Sequence, residues 1–291
     1  MSMSTTFATT TRASEQRVRT RRTRTGARLG LLLIAGWSLL AGLNLKLTPR
    51  IPWSVPAMAG VLWLYWRYLR GEGPQPGLAA FRKEQLRAVE LSRRVWRWSL
   101  LAGGSAIAAV WALFAALRGF LHVANAPDDL SQFPVWTIMA AIVMGSAVAG
   151  VTEEAGFRGF MQLPLERAYG PVIALTTTSV IFTLLHLTHG AAILPFLPFF
   201  LAAAVIYGLL TIVTGSILPS MTLHFAGDVM LLTLRYIAAR EGAISPATGT
   251  VAVPPAIAFL LLAGLSVMAF RFLTRTSTGD ALSGMLRPTA S

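Results

Sequence analysis

The sequence predicts an all-α fold, a polytopic transmembrane helical bundle with about eight spans. Apolar residues make up 54% of the 291 residues and charged residues only 13%, whereas an average soluble domain carries about 25% charged residues. Several uninterrupted apolar stretches also reach the roughly 20 residues that a helix needs to cross a bilayer. Too few polar side chains remain to cover a soluble surface, so we expect an integral membrane protein.

Eight apolar stretches are the predicted spans, and each is close to the length of a bilayer-crossing helix. The fourth runs directly into Thr152-Glu153-Glu154, so we expect its helix to continue beyond the apolar part. The spans are placed at about residues 29–47, 52–69, 98–121, 135–152, 171–189, 191–213, 216–237 and 254–273.

The order of polar and apolar segments divides the chain into four parts. Residues 1–28 hold seven arginines and one acid without apolar periodicity, which predicts a disordered basic cytoplasmic tail; a mitochondrial transit peptide has a similar composition. Residues 29–97 contain two spans and a basic segment, and residues 98–237 form a core of five spans. Residues 238–291 provide the last span and a cytoplasmic C-terminal tail.

The charge distribution indicates how the bundle lies in the membrane. The formal net charge is +13, and much of the excess lies near the N-terminus and in the loop 70–97. Because Lys and Arg collect on the cytoplasmic side, eight spans place both termini inside, and we expect a bacterial inner-membrane protein. Seven spans would place the C-terminus outside. The distribution favours contact with anionic lipid over nucleic-acid binding.

The segment between Leu78 and Trp98 mixes basic and apolar residues. This composition predicts an interfacial helix that runs into the third span. Such a helix either anchors the bundle through its positive charges or offers a substrate-binding surface.

Two features that the sequence lacks restrict the reactions that the protein can catalyse. The chain has no cysteine, which excludes disulfides, thiolate metal ligands and a cysteine nucleophile. It also lacks a Gly-rich phosphate-binding loop, so nothing in the sequence indicates an ATP-driven pump.

The first candidate cluster lies at the end of the fourth span, in Glu153-Glu154-Ala155-Gly156-Phe157-Arg158. Glu154 and Arg158 are four residues apart on a helix and can form an ion pair. Glu153 lies about 100° further round the helix. One carboxylate is therefore neutralised, while the other can face a cavity and act as a general base. The alternative is a charge cluster that ends a helix at the membrane interface.

Two further clusters place histidines within spans, where ionisable groups are costly and usually functional. His186 lies deep in the fifth span, one helical turn after Phe182, and is either a packed core residue or a functional one. His224 and Asp228 are four residues apart in the seventh span and project from one helix face. The carboxylate can orient the imidazole, or both can bind a metal ion.

These clusters lie on three different spans. If the helices converge, they form a small polar chamber with a carboxylate base, two imidazoles and a second carboxylate. That inventory suits the activation of water for hydrolysis.

The ordered motifs Glu-Glu-x-x-x-Arg, Phe-x-x-x-His and His-x-x-x-Asn/Asp resemble those of the CAAX prenyl endopeptidase and bacteriocin-processing family, also called the CPBP or Abi family of intramembrane proteases. The resemblance covers about residues 98–237, and it implies an eight-helix membrane endopeptidase whose site opens toward the cytoplasm. The matching residues are Glu153, Glu154, Arg158, Phe182, His186, His224 and Asp228.

The resemblance also implies catalytic roles. Glu153 would activate the attacking water, supported by the ion pair of the first motif, and His186 would hold the water or a metal ion. His224 and Asp228 would stabilise the oxyanion or complete the site. A metal site would use Glu153, His186, His224 and Asp228, and Zn²⁺ is the natural ion for such N and O ligands. A metal-free glutamate mechanism is the alternative.

Position 228 bears on one of these roles. An asparagine can donate a hydrogen bond to an oxyanion, but an ionised aspartate cannot. Asp228 must therefore be protonated, orient His224 or bind a metal ion.

The sequence thus predicts an intramembrane endopeptidase that hydrolyses a peptide bond near the cytoplasmic membrane face with activated water. Its expected partners are a peptide or membrane-protein substrate and anionic lipid; prenylated substrates are not expected in a bacterium, and no oligomeric state is predicted. One alternative is a non-catalytic immunity or scaffold protein. The other is a proton-coupled transporter that uses the same buried Glu and His, although the sequence has no visible inverted repeat.

Overall fold

The computed structural model describes residues 32–117, 133–240 and 252–285, and within these ranges the chain is helical with turns and no strand. The all-α prediction is therefore confirmed. The predicted N-terminal tail and most of the loops 122–134 and 238–253 lie outside the described residues. The helices are α1 (Leu32–Leu47), α2 (Ser54–Leu69), α3 (Ala79–Leu86), α4 (Arg93–Leu117), α5 (Val135–Glu154), α6 (Leu163–Tyr169), α7 (Pro171–Leu185), α8 (Leu197–Thr214), α9 (Leu218–Arg240) and α10 (Val253–Met285).

The eight predicted spans coincide with eight of these helices, and α3 and α6 are short additions. Five helical segments of the described residues are long and apolar enough to cross a membrane, namely those that contain α4, α5, α7, α8 and α10. α1 and α2 are shorter, and α9 has polar and charged side chains within its length. The count of eight spans is thus approximate, but the protein is an integral membrane protein.

The fourth span continues beyond its apolar part, as predicted. α5 leads without a break into a π-helical segment, Ala155–Gln162, and then into α6. In a π-helix the hydrogen bonds run from residue i to i+5, and such segments are rare and frequent at functional sites. The α-helical spacing read from the sequence did not predict this geometry.

The prediction of one interfacial helix that runs into the third span is wrong. α3 ends at Leu86, and residues 87–92 are non-helical before α4 begins. Arg87 has a left-handed φ of 54°, and its carbonyl oxygen accepts a hydrogen bond from the Ile217 amide at 3.1 Å. The chain therefore leaves the helix to contact the residues just before α9.

Arg82, in the segment predicted to be a basic interfacial helix, points inward instead. Arg82 is 3% exposed and donates to the carbonyl oxygens of Tyr68, Gln75 and Glu72. It closes the turn between α2 and α3 by satisfying carbonyls that water would otherwise reach.

The C-terminal boundary also differs from the prediction. Residues 274–285, assigned to a tail, continue α10 as a helix. This helix packs along α4, where Ser266 donates to the Ala102 carbonyl at 3.0 Å and Trp98 stacks on Phe272 with ring centroids 4.8 Å apart.

Arg87 connects the non-helical residues 87–92 to α6 through an ion pair. Its Nη1 lies 3.0 and 3.1 Å from the two carboxylate oxygens of Glu166, and its Nη2 donates to the Thr211 carbonyl. The two side chains are only 11% and 15% exposed. Gln162 donates to the same carboxylate at 2.8 Å, so this ion pair joins three parts of the chain.

We expect Arg87→Met to lower the free energy of unfolding by about 3 kcal/mol, because Glu166 would keep its buried charge without its partner. Denaturant unfolding of the purified protein in detergent measures this. Arg167→Met is the matched control, since its ion pair with Glu84 is about half exposed (50% and 52%) and should cost less than about 1 kcal/mol. Equal losses in the two variants would contradict the prediction.

Candidate active site

Gly150 allows α5 and α9 to approach closely. A Cβ at this position would lie 3.3 Å from both the Met221 carbonyl oxygen and the Phe225 amide nitrogen. Glu154 follows one turn later on α5, and His224 directly precedes Phe225 on α9. The close approach of the two backbones therefore brings these two side chains together.

Glu154 is the buried centre of the site. Its side chain is fully buried, and its Oε1 accepts a hydrogen bond from His224 Nδ1 at 2.9 Å. The same oxygen lies 3.3 Å from Arg158 Nη1, so the ion pair predicted from the i,i+4 spacing is confirmed. One carboxylate thus neutralises an arginine and fixes the orientation of an imidazole.

Arg158 is itself enclosed by other helices. It is 2% exposed, and its Nη2 donates to the Ala204 carbonyl on α8 at 3.2 Å. Its guanidinium carbon lies 4.7 Å from the ring centroid of Phe182 and 5.5 Å from that of Tyr207. Aromatic faces attract cations, so these rings help to hold the charge in an apolar region.

The other imidazole nitrogen faces two carboxylates. His224 Nε2 lies 3.5 Å from Asp228 Oδ2 and 3.9 Å from Glu153 Oε2. The imidazole is 6% exposed, whereas the side chains of Glu153 and Asp228 are 20% and 31% exposed. The neighbouring glutamates are therefore in different environments, one sealed behind the histidine and one on its open side.

His186 directly follows α7, where the chain enters a 3₁₀ turn, and it lies near the end of the candidate span Pro171–Thr188. Its Nδ1 lies 2.9 Å from the Phe182 carbonyl oxygen, and its ring stacks on Phe200 at 4.0 Å. Phe182 contacts both histidines, with ring centroids 4.7 Å from His186 and 6.1 Å from His224. The structure thus places His186 beside the site, with Phe182 in contact with both rings.

Tyr207 is a site residue that no motif in the sequence indicated. It is 4% exposed, and its ring stacks on the His224 imidazole with centroids 5.2 Å apart and planes 16° apart. The one signal for it was a phenol in an otherwise apolar span, because a buried hydroxyl normally requires a partner.

The described side chains do not form a protein-built metal cage. Within the described ranges, no group of three His, Asp or Glu side chains is placed to hold a metal ion. We therefore derive no chemical step through a metal, and the ligand set Glu153, His186, His224 and Asp228 stays a prediction.

The fold and the site define a polytopic membrane protein with a histidine held between a buried and two more accessible carboxylates. Residues 134–230, about one third of the chain, match the family model described as type II CAAX prenyl endopeptidase Rce1-like. The chain therefore carries an Rce1-like domain, and the family resemblance read from the motifs is confirmed. This domain family is one of membrane endopeptidases. No curated protein and no solved structure matches the chain significantly.

We expect Gly150→Ala to reduce any activity of the site, because the added Cβ would push the α9 backbone away by a few tenths of an ångström. The hydrogen bond between His224 and Glu154 would lengthen with it. Turnover and thermal unfolding of the purified variant measure the effect.

Gly104→Ala is the matched control. It lies on α4 and faces the same helix α9, but its Cβ would meet only the Leu223 side chain at 3.8 Å, which is an ordinary contact. If Gly150→Ala keeps the wild-type turnover, or if both variants lose turnover equally, the close approach of α5 and α9 at Gly150 does not determine the geometry of the site.

Proposed function

We propose that this protein is an intramembrane endopeptidase in which Glu153 activates the water that attacks a peptide bond. The observation that carries the proposal is the division between two adjacent glutamates. Glu154 is sealed against His224 and Arg158, whereas Glu153 lies on the accessible side of the same imidazole, 3.9 Å from Nε2. A base must reach both water and substrate, and only Glu153 of this pair is open enough.

The proposed reaction has two steps. Glu153 removes a proton from a water molecule, and the water oxygen bonds to the carbonyl carbon to give a tetrahedral intermediate. The C–N bond then breaks as Glu153 passes the proton to the leaving nitrogen, and a carboxylic acid and an amine remain. His224, oriented by Glu154, provides an Nε2 that positions the water beside Glu153.

The location of the site supports cleavage near a membrane surface. Glu153 stands where the apolar part of α5 ends and the polar segment begins. The exposed basic residues from the end of α2 to the first turns of α4 would mark the cytoplasmic side of a bacterial inner membrane and contact anionic lipid headgroups. They are Arg67, Arg70, Lys83, Arg93, Arg94 and Arg97. The proposed substrate is a peptide or a membrane protein, and the family match supports endopeptidase chemistry.

We expect Glu153→Gln to reduce cleavage at least about 100-fold, because the amide cannot accept the proton of the attacking water. The assay is mass-spectrometric detection of products from a library of membrane-inserted peptides in liposomes. The variant should unfold at the wild-type temperature, since Glu153 is not the buried partner of Arg158.

Two other variants complete this test. Glu84→Gln, on an exposed carboxylate, should cleave like the wild type. Glu154→Gln should lose both stability and cleavage, because Arg158 would remain buried without its counter-ion. Full cleavage by Glu153→Gln would refute the proposed function and leave a scaffold or a transporter as the better description.

We also propose that the reaction requires no metal ion, because the described side chains form no three-ligand group. Dialysis against a strong zinc chelator should therefore leave cleavage within about twofold of the untreated protein. Loss of cleavage that stoichiometric Zn²⁺ restores would contradict this mechanism and would favour the predicted ligand set instead.

A further inference from the structure

The proposed reaction needs a hydrogen-bond donor that neither an ionised Asp228 nor Nδ1 of His224 supplies. Negative charge develops on the carbonyl oxygen as water adds, and enzymes place donors where that oxygen will lie. An ionised Asp228 has no proton to donate. The Nδ1 proton of His224 is already bonded to Glu154, so it does not face the substrate.

Tyr207 brings an O–H group to this place. Its ring lies parallel to the imidazole of His224, and its hydroxyl lies against Gly227, where a Cβ would be 3.5 Å from the oxygen. Gly227 is on α9 between His224 and Asp228 in sequence. The hydroxyl therefore sits over the stretch of helix that carries both polar side chains.

No hydrogen bond joins this hydroxyl to the residues that the structure describes, although a tyrosine packed for structural reasons normally finds a partner for its O–H. Its backbone is fixed instead, because the Tyr207 carbonyl accepts hydrogen bonds from Thr211 Oγ1 at 3.0 Å and from Ser220 Oγ at 2.8 Å. An anchored ring whose O–H has no partner among the described residues is preorganised for a ligand.

We propose that Tyr207 is a catalytic residue whose hydroxyl donates a hydrogen bond to the oxyanion of the tetrahedral intermediate. It takes the role that an asparagine at position 228 would fill and that an ionised aspartate cannot. This inference rests on the proposed peptidase function and adds a residue that none of the three motifs contains.

Tyr207→Phe tests the hydroxyl alone, because phenylalanine keeps the ring against His224. We expect kcat to fall about 100- to 1,000-fold, as removal of one oxyanion donor does in other enzymes, with KM changed less than about threefold and the unfolding temperature unchanged. Tyr236→Phe is the matched control, since Tyr236 is also buried but its hydroxyl accepts a hydrogen bond from Arg240 away from the site.

The outcomes separate this proposal from the one on which it rests. If Tyr207→Phe keeps its kcat while Glu153→Gln is inactive, the peptidase stands and the role of Tyr207 is overturned. A loss that appears only in KM or in the unfolding temperature also overturns it. Cleavage by Glu153→Gln would instead overturn the peptidase itself.

A double-mutant cycle with Asp228→Asn distinguishes a catalytic role of the Tyr207 hydroxyl from a structural one. The asparagine amide supplies a second donor, so in that background Tyr207→Phe should lower kcat less than about threefold. An undiminished loss in the double variant would overturn the shared role, because two groups that serve one oxyanion must show coupling.

Discussion

The buried carboxylate of Glu154 is the constraint on which the rest of the structure depends. A charge away from water is tolerable only when it is paired and hydrogen-bonded. Oε1 of Glu154 meets this condition with Arg158 on its own chain segment and His224 on α9, whereas Oε2 is buried without a hydrogen-bond partner among the described residues. Loss of Arg158 would leave an uncompensated charge inside the bundle, which costs about 3–5 kcal/mol, and loss of His224 would remove the hydrogen bond to the same carboxylate. The arrangement of α5 and α9 therefore cannot relax without a large penalty.

The same requirement extends from this pair to two more helices. Arg158 needs partners for its remaining donors, and it finds the Ala204 carbonyl on α8 and the ring face of Phe182 on α7. A single ion pair thus determines where four helices meet. The π-helical segment contributes to the same helix packing. Both Arg158 and Gln162 are buried along it, and Gln162 donates a hydrogen bond to the Gly208 carbonyl on α8.

The sequence revealed those features that depend on local composition and spacing. Apolar stretches located the helices, because a bilayer-crossing segment needs a continuous apolar run. The i,i+4 spacing paired Glu154 with Arg158 and His224 with Asp228, because one helical turn places such residues on one face. The break after Leu86, the π-helix and the position of Tyr207 were not predictable in this way. Each depends on a contact between distant residues, such as the hydrogen bond from the Ile217 amide to Arg87.

This arrangement explains why Glu153 and Glu154, although consecutive in the sequence, lie in different environments. Consecutive residues on a helix point about 100° apart, so one carboxylate can enter the core while its neighbour stays at the edge of the chamber. Glu154 fixes the ring of His224. Glu153 and Asp228 then both lie near Nε2 of that ring. The ring of Tyr207 covers the imidazole of His224, whereas its hydroxyl has no hydrogen-bond partner among the described residues. Because Glu154 fixes the imidazole from the buried side, Glu153 and Asp228 on the other side can stay partly exposed.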